Sequence, residues 1–255
     1  MALFTDGEIS TIEDLQGYDA AILRVASAEG VDLSSKLRLA ETEIGIEIEE
    51  FVTKRGSVAA TAVGGGVFGL ANVVVTPALK QWHTLHALVL TYGDIDGNHL
   101  KSRYATKLAD YRRRARWAAD SLFRMGVGIV GAPVVKPTGL VVRTVAGDQP
   151  IQPYYLQIAW SDARGVSGTP SDVVVFVPAE PGLPAVRSVA PPEGVAGFDV
   201  YAGTVDGQLS RQNATPIACD QEWVMPATGL IDGDPPGSGQ APEWFVRNDR
   251  VLLRG

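Results

Sequence analysis

Helical periodicity in this chain stops at Gly126 and does not resume, and no other feature narrows the possible folds as much. Just before that point, from His99 to Met125, apolar or aromatic residues recur at Leu100, Tyr104, Leu108, Tyr111, Ala115, Ala118, Leu122 and Met125. Steps of three and four keep them on one side of a helix, which predicts a buried stripe. Between them lie Lys101, Arg103, Lys107, Arg112, Arg113, Arg114, Arg116 and Arg124, against only Asp110 and Asp120. The solvent side is therefore cationic. Beyond Gly126 the chain reads as Val, Pro and Gly in short extended runs. The fold class that follows is α+β in two domains: an all-α helical bundle over residues 1–137, then an all-β sandwich over 138–255 with an extended C-terminal strand.

The sequence of 255 residues is long enough for two modest domains, and 45% hydrophobic with 20% charged residues is ordinary globular composition. A single cysteine, Cys219, excludes an internal disulfide framework and a multi-cysteine zinc site. The net charge of -7 argues against a protein that coats nucleic acid nonspecifically. The deficit lies in the second half: residues 1–137 carry 15 Lys and Arg against 16 Asp and Glu, the rest 7 against 13. Met1 to Ser10 has acidic residues where a secretory leader needs a cationic start and an apolar core. Gly56 to Leu79 lacks charge, but its glycines, Asn72 and Thr76 make a membrane span a poor fit.

In chain order, Ser10 to Glu13 reads as a capping box opening a short helix. Asp19 to Glu29 follows, with Gly30 placed for a left-handed helix end. Asp32 caps the next helix, whose apolar set is Leu33, Leu37, Ala40, Ile44, Ile48 and Phe51 and whose end is expected near Thr53. Its outer face is acidic, with Glu41, Glu43, Glu47, Glu49 and Glu50. Lys54 to Val75 is expected to be a long Gly-rich connection. A helix from Thr76 and Pro77 to Gly93 buries Leu79, Trp82, Leu85, Val89 and Tyr92, and Asp94 to Asn98 forms a turn. Past a linker over Gly126 to Pro137, strands are expected at Leu140 to Val145, Tyr154 to Trp160, Val173 to Val177, Ala185 to Val189, Phe198 to Tyr201 and Trp244 to Leu253.

No enzymatic constellation emerges, and no catalytic, cofactor or metal residue is assigned. Gly64 to Gly69 lacks the Lys and Ser/Thr of a phosphate loop. Asp94, Asp96, Gly97 and Asn98 begin like a calcium loop, but Ala105 stands where a bidentate Glu is needed. His83 and His86 share a helical face without a carboxylate or thiol to complete a metal set, so they read as packed or interface residues. No histidine occurs after His99 to serve as a local base for Cys219, and a small buried role is usual for such a residue. Asn213 to Thr215 matches a glycosylation sequon.

Three segments together carry a resemblance: Ala26 to Ala40 (ASAEGVDLSSKLRLA), Trp82 to Leu90 (WHTLHALVL) and Tyr104 to Ile129 (YATKLADYRRRARWAADSLFRMGVGI). The combination resembles the head-to-tail connector, or adaptor, proteins of tailed bacteriophages. The second half is similar to a fibronectin type III or immunoglobulin-like module. Tyr154 to Asp172 looks like that fold's final hairpin and Phe198 to Gly203 like a central strand, in the order of a permuted or merely related sandwich. The resemblance implies a structural virion protein at the head-tail junction, made in the host cytoplasm. It implies a homo-oligomeric ring, commonly dodecameric, that joins the portal protein to tail, stopper or neck proteins around the DNA channel. Non-specific contact with packaged DNA is open, and no membrane or cofactor is expected.

Arg112, Arg113 and Arg116 on the basic helix, with Glu47 and Glu50 on the acidic one, are the expected interface residues toward a subunit, the portal or the DNA channel. Four arginines within five residues repel one another unless an anion is near, and the acidic helix offers one, within the molecule or between neighbours. Gly64, Gly65, Gly66 and Phe68 are expected to form a loop ordered only on assembly. A competing reading is a carbohydrate- or surface-binding module in which Trp160, Trp223 and Trp244 recognise the ligand and the helices multimerise it.

Overall fold

The computed structural model describes residues 1–63, 68–97, 103–247 and 251–253. Among them are five α-helices and ten strands, numbered in chain order, which separate into two compact units. One comprises 7–131 with 242–255; the other comprises 1–6 with 132–241. The layout is α+β, helices first and antiparallel sheets after.

In the helical unit, α1 (Ile12–Tyr18) starts one residue later than expected: Thr11 and Asp14 form the capping box. Ser10 is engaged elsewhere, its hydroxyl bonded to Thr84 Oγ1 at 2.8 Å and to the Lys80 carbonyl. The helix α2 (Ile22–Glu29) ends at Gly30 with φ 68°, the left-handed end that only glycine adopts without strain. Asp32 accepts from the Ser34 amide at 3.0 Å and opens α3 (Leu33–Val63). This helix runs ten residues past its expected end; Ala59, Ala60 and Ala62 favour the helix and offset the cost of about 1 kcal/mol of one glycine. The first ten residues of the expected connection are thus helix. Thr76 caps α4 (Pro77–Gly97) through the Leu79 amide, and burial of Ile95 carries that helix through Gly93 and the expected turn. The fifth helix, α5 (Ala105–Met125), starts later than His99; Asn98, His99, Leu100 and Lys101 lie outside the described residues.

The segment read as a linker after α5 begins with strand β1 (Val127–Ile129). It pairs antiparallel with β9 (Trp244–Val246), which pairs in turn with β10 (Val251–Leu253). Val73 bridges to Ile129, and the Val74 amide donates to the Gly128 carbonyl at 2.9 Å. Gly128 has no room for a side chain, since a Cβ there would stand 2.8 Å from Pro242. The C-terminal strand therefore belongs to the helical unit, not to the β half as expected. At the other end, residues 1–6 join the β unit: Asp6 accepts from the Lys136 amide at 2.8 Å and from Thr169 Oγ1 at 2.9 Å.

Seven strands build the β unit: β2 (Leu140–Val145), β3 (Tyr154–Asp162), β4 (Val174–Phe176), β5 (Leu183–Ser188), β6 (Val195–Gly203), β7 (Ser210–Arg211) and β8 (Glu222–Val224). They form two antiparallel sheets, ordered β2-β5-β8 and β4-β3-β6-β7. Alternation along each strand sends one set of side chains to a shared core. Leu156, Ile158 and Trp160 of β3 stand opposite Ala202, Val200 and Phe198 of β6, and Val186 and Trp223 contribute from the other sheet. Residues Ser161 and Asp199 point the other way, where the buried Asp199 carboxylate accepts from Arg211, Asn213 and Ser161. Asn213, the sequon residue, is thereby an internal link of the β unit.

Candidate assembly surface

Helix α4 packs against both α3 and α5 and lies between them. Its buried face holds Leu79, Trp82, Leu85, Leu88 and Tyr92, while Ile44 and Ile48 of α3 and Leu108, Tyr111, Ala115 and Leu122 of α5 close on it. On one side of this layer α3 and α5 leave a groove. Phe51 of α3 meets Phe123 of α5 at 4.8 Å between ring centroids, and Trp82 of α4 stands edge-on to Phe123 at 5.5 Å. These rings form an aromatic floor.

Charged residues line the walls. A cleft of about 400 Å³ is bounded by Glu47, Glu50, Phe51, Lys54, Arg55, Asp120 and Phe123. A second, of about 270 Å³, is bounded by Glu47, Trp82, His86, Arg112, Arg116 and neighbouring apolar groups. Glu47 is common to both. The sequence singled out Glu47, Glu50, Arg112 and Arg116, and the fold brings all four to this groove. Glu50 pairs with Lys54 one turn along its own helix, and Glu43 accepts from His86 Nε2 at 2.6 Å. Among the described residues no ion pair or hydrogen bond reaches Glu47, Arg112 or Arg116. Arg113 points away from the groove and pairs with Asp110. All of these carboxylates and guanidinium groups are solvent-exposed or partly so, which keeps each pair weak.

A different arrangement holds the opposite flank of α5. The Lys107 ammonium pairs with the buried carboxylate of Asp19 and donates to Tyr92 Oη at 2.9 Å, while Tyr92 donates to Asp19. Burial opposes ionisation of Asp19, yet Lys107, Tyr92 and the Ala21 amide outweigh it and hold the carboxyl below its usual range. Burial, then the bond to Asp19, pushes the Tyr92 hydroxyl well up. Tyr111 stacks on Tyr92 at 5.5 Å and is pushed up to about 12, again chiefly by burial. This cluster pins the turn between α1 and α2 to α4 and α5. The sequence offered no signal for it, because Asp19 and Lys107 are unremarkable surface residue types until the fold buries them together.

The two histidines of α4 both turn toward α3. His83 is buried, with Nε2 3.1 Å from the Leu37 carbonyl, and burial lowers its pKa to about 4. Among the described residues no group of His, Cys, Asp or Glu clusters to hold a metal ion. No described helix is long and apolar enough to cross a membrane.

Phe68, expected to belong to a loop ordered on assembly, is buried and faces Trp244 at 6.1 Å, so it is covered within the single chain. Gly64, Gly65 and Gly66 lie outside the described residues. Trp160 and Trp223 are core residues of the β unit, and Trp244 belongs to the helical one. Trp160 and Trp223, 1% and 6% exposed, present no recognition surface of their own. Cys219 packs partly against the β core, where burial raises its thiol pKa. No protein-family model matches this chain, and no curated protein matches it.

Proposed function

We propose that this protein is a structural, non-catalytic component of a phage virion, a head-to-tail adaptor. It assembles through its helical unit into a ring, dodecameric as the resemblance implies, that joins the portal to tail or neck proteins around the DNA channel. The observation that carries this reading is the groove between α3 and α5, where Glu47, Arg112 and Arg116 face one cleft with no partner among the described residues. Exposed charges of both signs around an aromatic floor fit contact with another protein surface, since aromatic and Arg residues dominate the energetics of such contacts. In the β unit, the three-plus-four strand order with the β3–β4 hairpin ahead of β6 is compatible with a permuted fibronectin-like sandwich.

Native mass measurement and negative-stain imaging of the purified chain, alone and with a portal, test the reading. Rings of uniform stoichiometry are expected. A chain that stays monomeric in both conditions excludes it. A salt series separates subunit contact from DNA contact: exposed ion pairs worth about 0.2–1 kcal/mol each weaken gradually. Phosphate contacts fall with a slope of about -0.9 per contact.

A further inference from the structure

We propose that Trp117 of one copy seats in the α3–α5 groove of the next, so that chains join head to tail through a knob and a socket. This rests on the ring reading above and names the contact that builds the ring. Trp117 is 58% exposed on α5, a large apolar side chain of which the described residues leave more than half uncovered. At about 100° per residue, it stands roughly a third of a turn around the helix from Phe123, which floors the groove. Knob and socket thus lie on different faces of one helix. Arg113 and Asp110 stand one and two turns before Trp117 on the same face of α5, and their mutual surface pair is weak.

The socket matches in shape and charge. Its cleft of about 400 Å³ has an aromatic floor of Phe51 and Phe123 and room for an indole ring. Glu47 and Glu50 line this cleft together with Lys54, Arg55 and Asp120 and are available to an incoming Arg113, while Arg112 and Arg116 line the adjoining cleft, which shares Glu47, and are available to an incoming Asp110. On the ridge of α3 beside the acidic wall, Leu39 and Ile46 lie two turns apart and are 41% and 64% exposed. Docking of a neighbour along this wall covers them too. A contact between two different faces repeats head to tail and closes into a ring when the rotation allows, whereas a self-matching face stops at a dimer.

Crosslinking tests the placement. Replacing Cys219 by Ala removes the single cysteine of the chain, and Arg113→Cys and Glu50→Cys are then made in separate copies. Oxidising the mixed rings is expected to yield a covalent dimer with one copy of each kind. Rings that form without this crosslink, or a crosslink of Arg113→Cys to itself, overturn the placement and leave the ring reading standing. Failure of the unaltered chain to assemble, alone or with a portal, overturns both. Trp117→Ser is expected to weaken association about thirtyfold or more while leaving helix content and the urea midpoint unchanged. Rings from Trp117→Ser at wild-type concentration also overturn it.

Discussion

Lys107 and Arg112 are both cations on α5, five residues apart, and they meet opposite circumstances. Lys107 closes on a buried carboxylate and a buried tyrosine, while Arg112 faces an open groove with no partner among the described residues. Both positions read as cationic helix surface in the sequence. What separates them is the turn between α1 and α2, which brings Asp19 to one flank of α5, whereas the other flank stays open. The first cation holds the fold together; the second is available to something outside it. A similar contrast recurs on α4, where His83 is sealed against Leu37 and His86 sits at the groove beside Glu43.

The sharpest way to break this contrast is to remove an anchored end. The C-terminal end of α5 continues into β1, which depends on β9 for its pairing and on the fully buried Val246 for packing. A chain ending at Pro137 is therefore expected to lose at least about 4 kcal/mol of helical-unit stability, from uncovered apolar surface and lost pairing. Urea unfolding followed by circular dichroism measures it, and an unchanged midpoint would show that β9 is dispensable.

Next in size, Asp19→Ala leaves the partly buried Lys107 and the Tyr92 hydroxyl without their acceptor. A loss of about 3 kcal/mol is expected, at the lower end for a broken buried pair because Lys107 remains partly solvated. A loss below about 0.5 kcal/mol would mean the cluster contributes nothing.

His83 supplies a pH test of the same kind. Its folded pKa of about 4 lies below the ordinary 6.5, chiefly because of burial, which outweighs the opposing hydrogen bond to the Leu37 carbonyl; His86 lowers it a little further and Asp14 opposes slightly. The unfolded chain thus binds a proton that the folded chain refuses, so stability is complete above pH 6.5 and falls as pH drops toward 4. The full difference is about 3 kcal/mol, and His83→Gln should flatten that part of the stability profile. An equally steep profile in His83→Gln assigns the acid sensitivity elsewhere.

The smallest effect on stability is expected in the groove. Arg112→Glu with Arg116→Glu should shift stability by less than about 1 kcal/mol while abolishing ring formation. Arg114→Glu, which points elsewhere on the helix, should assemble far better. Wild-type rings from the double reversal would leave Arg112 and Arg116 as solvated surface or DNA contacts.

Much of this was legible in the sequence, because helix and strand periods are written over a few residues. The spacing of Leu108, Tyr111, Ala115 and Leu122 marked the buried face of α5, Gly30 marked a helix end, and β2 has the expected bounds. Elements carried by weak local signals were missed: the three-residue strands β1 and β8, and the alanine-rich continuation of α3. Around the α3–α5 groove, Glu47, Glu50, Arg112 and Arg116 stood out by charge alone, while Trp117, which lies off the apolar stripe of α5, did not, since a single exposed aromatic residue is ordinary on a surface.

What the sequence determined by itself was which faces are apolar and which are charged. Only the tertiary structure decided which of those faces find a partner within the chain. Val127 meets Val246 across more than a hundred intervening residues, and Asp19 meets Lys107 across most of the helical unit. No local period records either meeting. Each depends on how whole helices and strands close on one another, and the same closure leaves Arg112, Arg116 and Glu47 around an open groove. Pairing over such distances is set by packing rather than by propensity, because the entropy of closing a long loop grows slowly with its length while the core it completes is shared by every element.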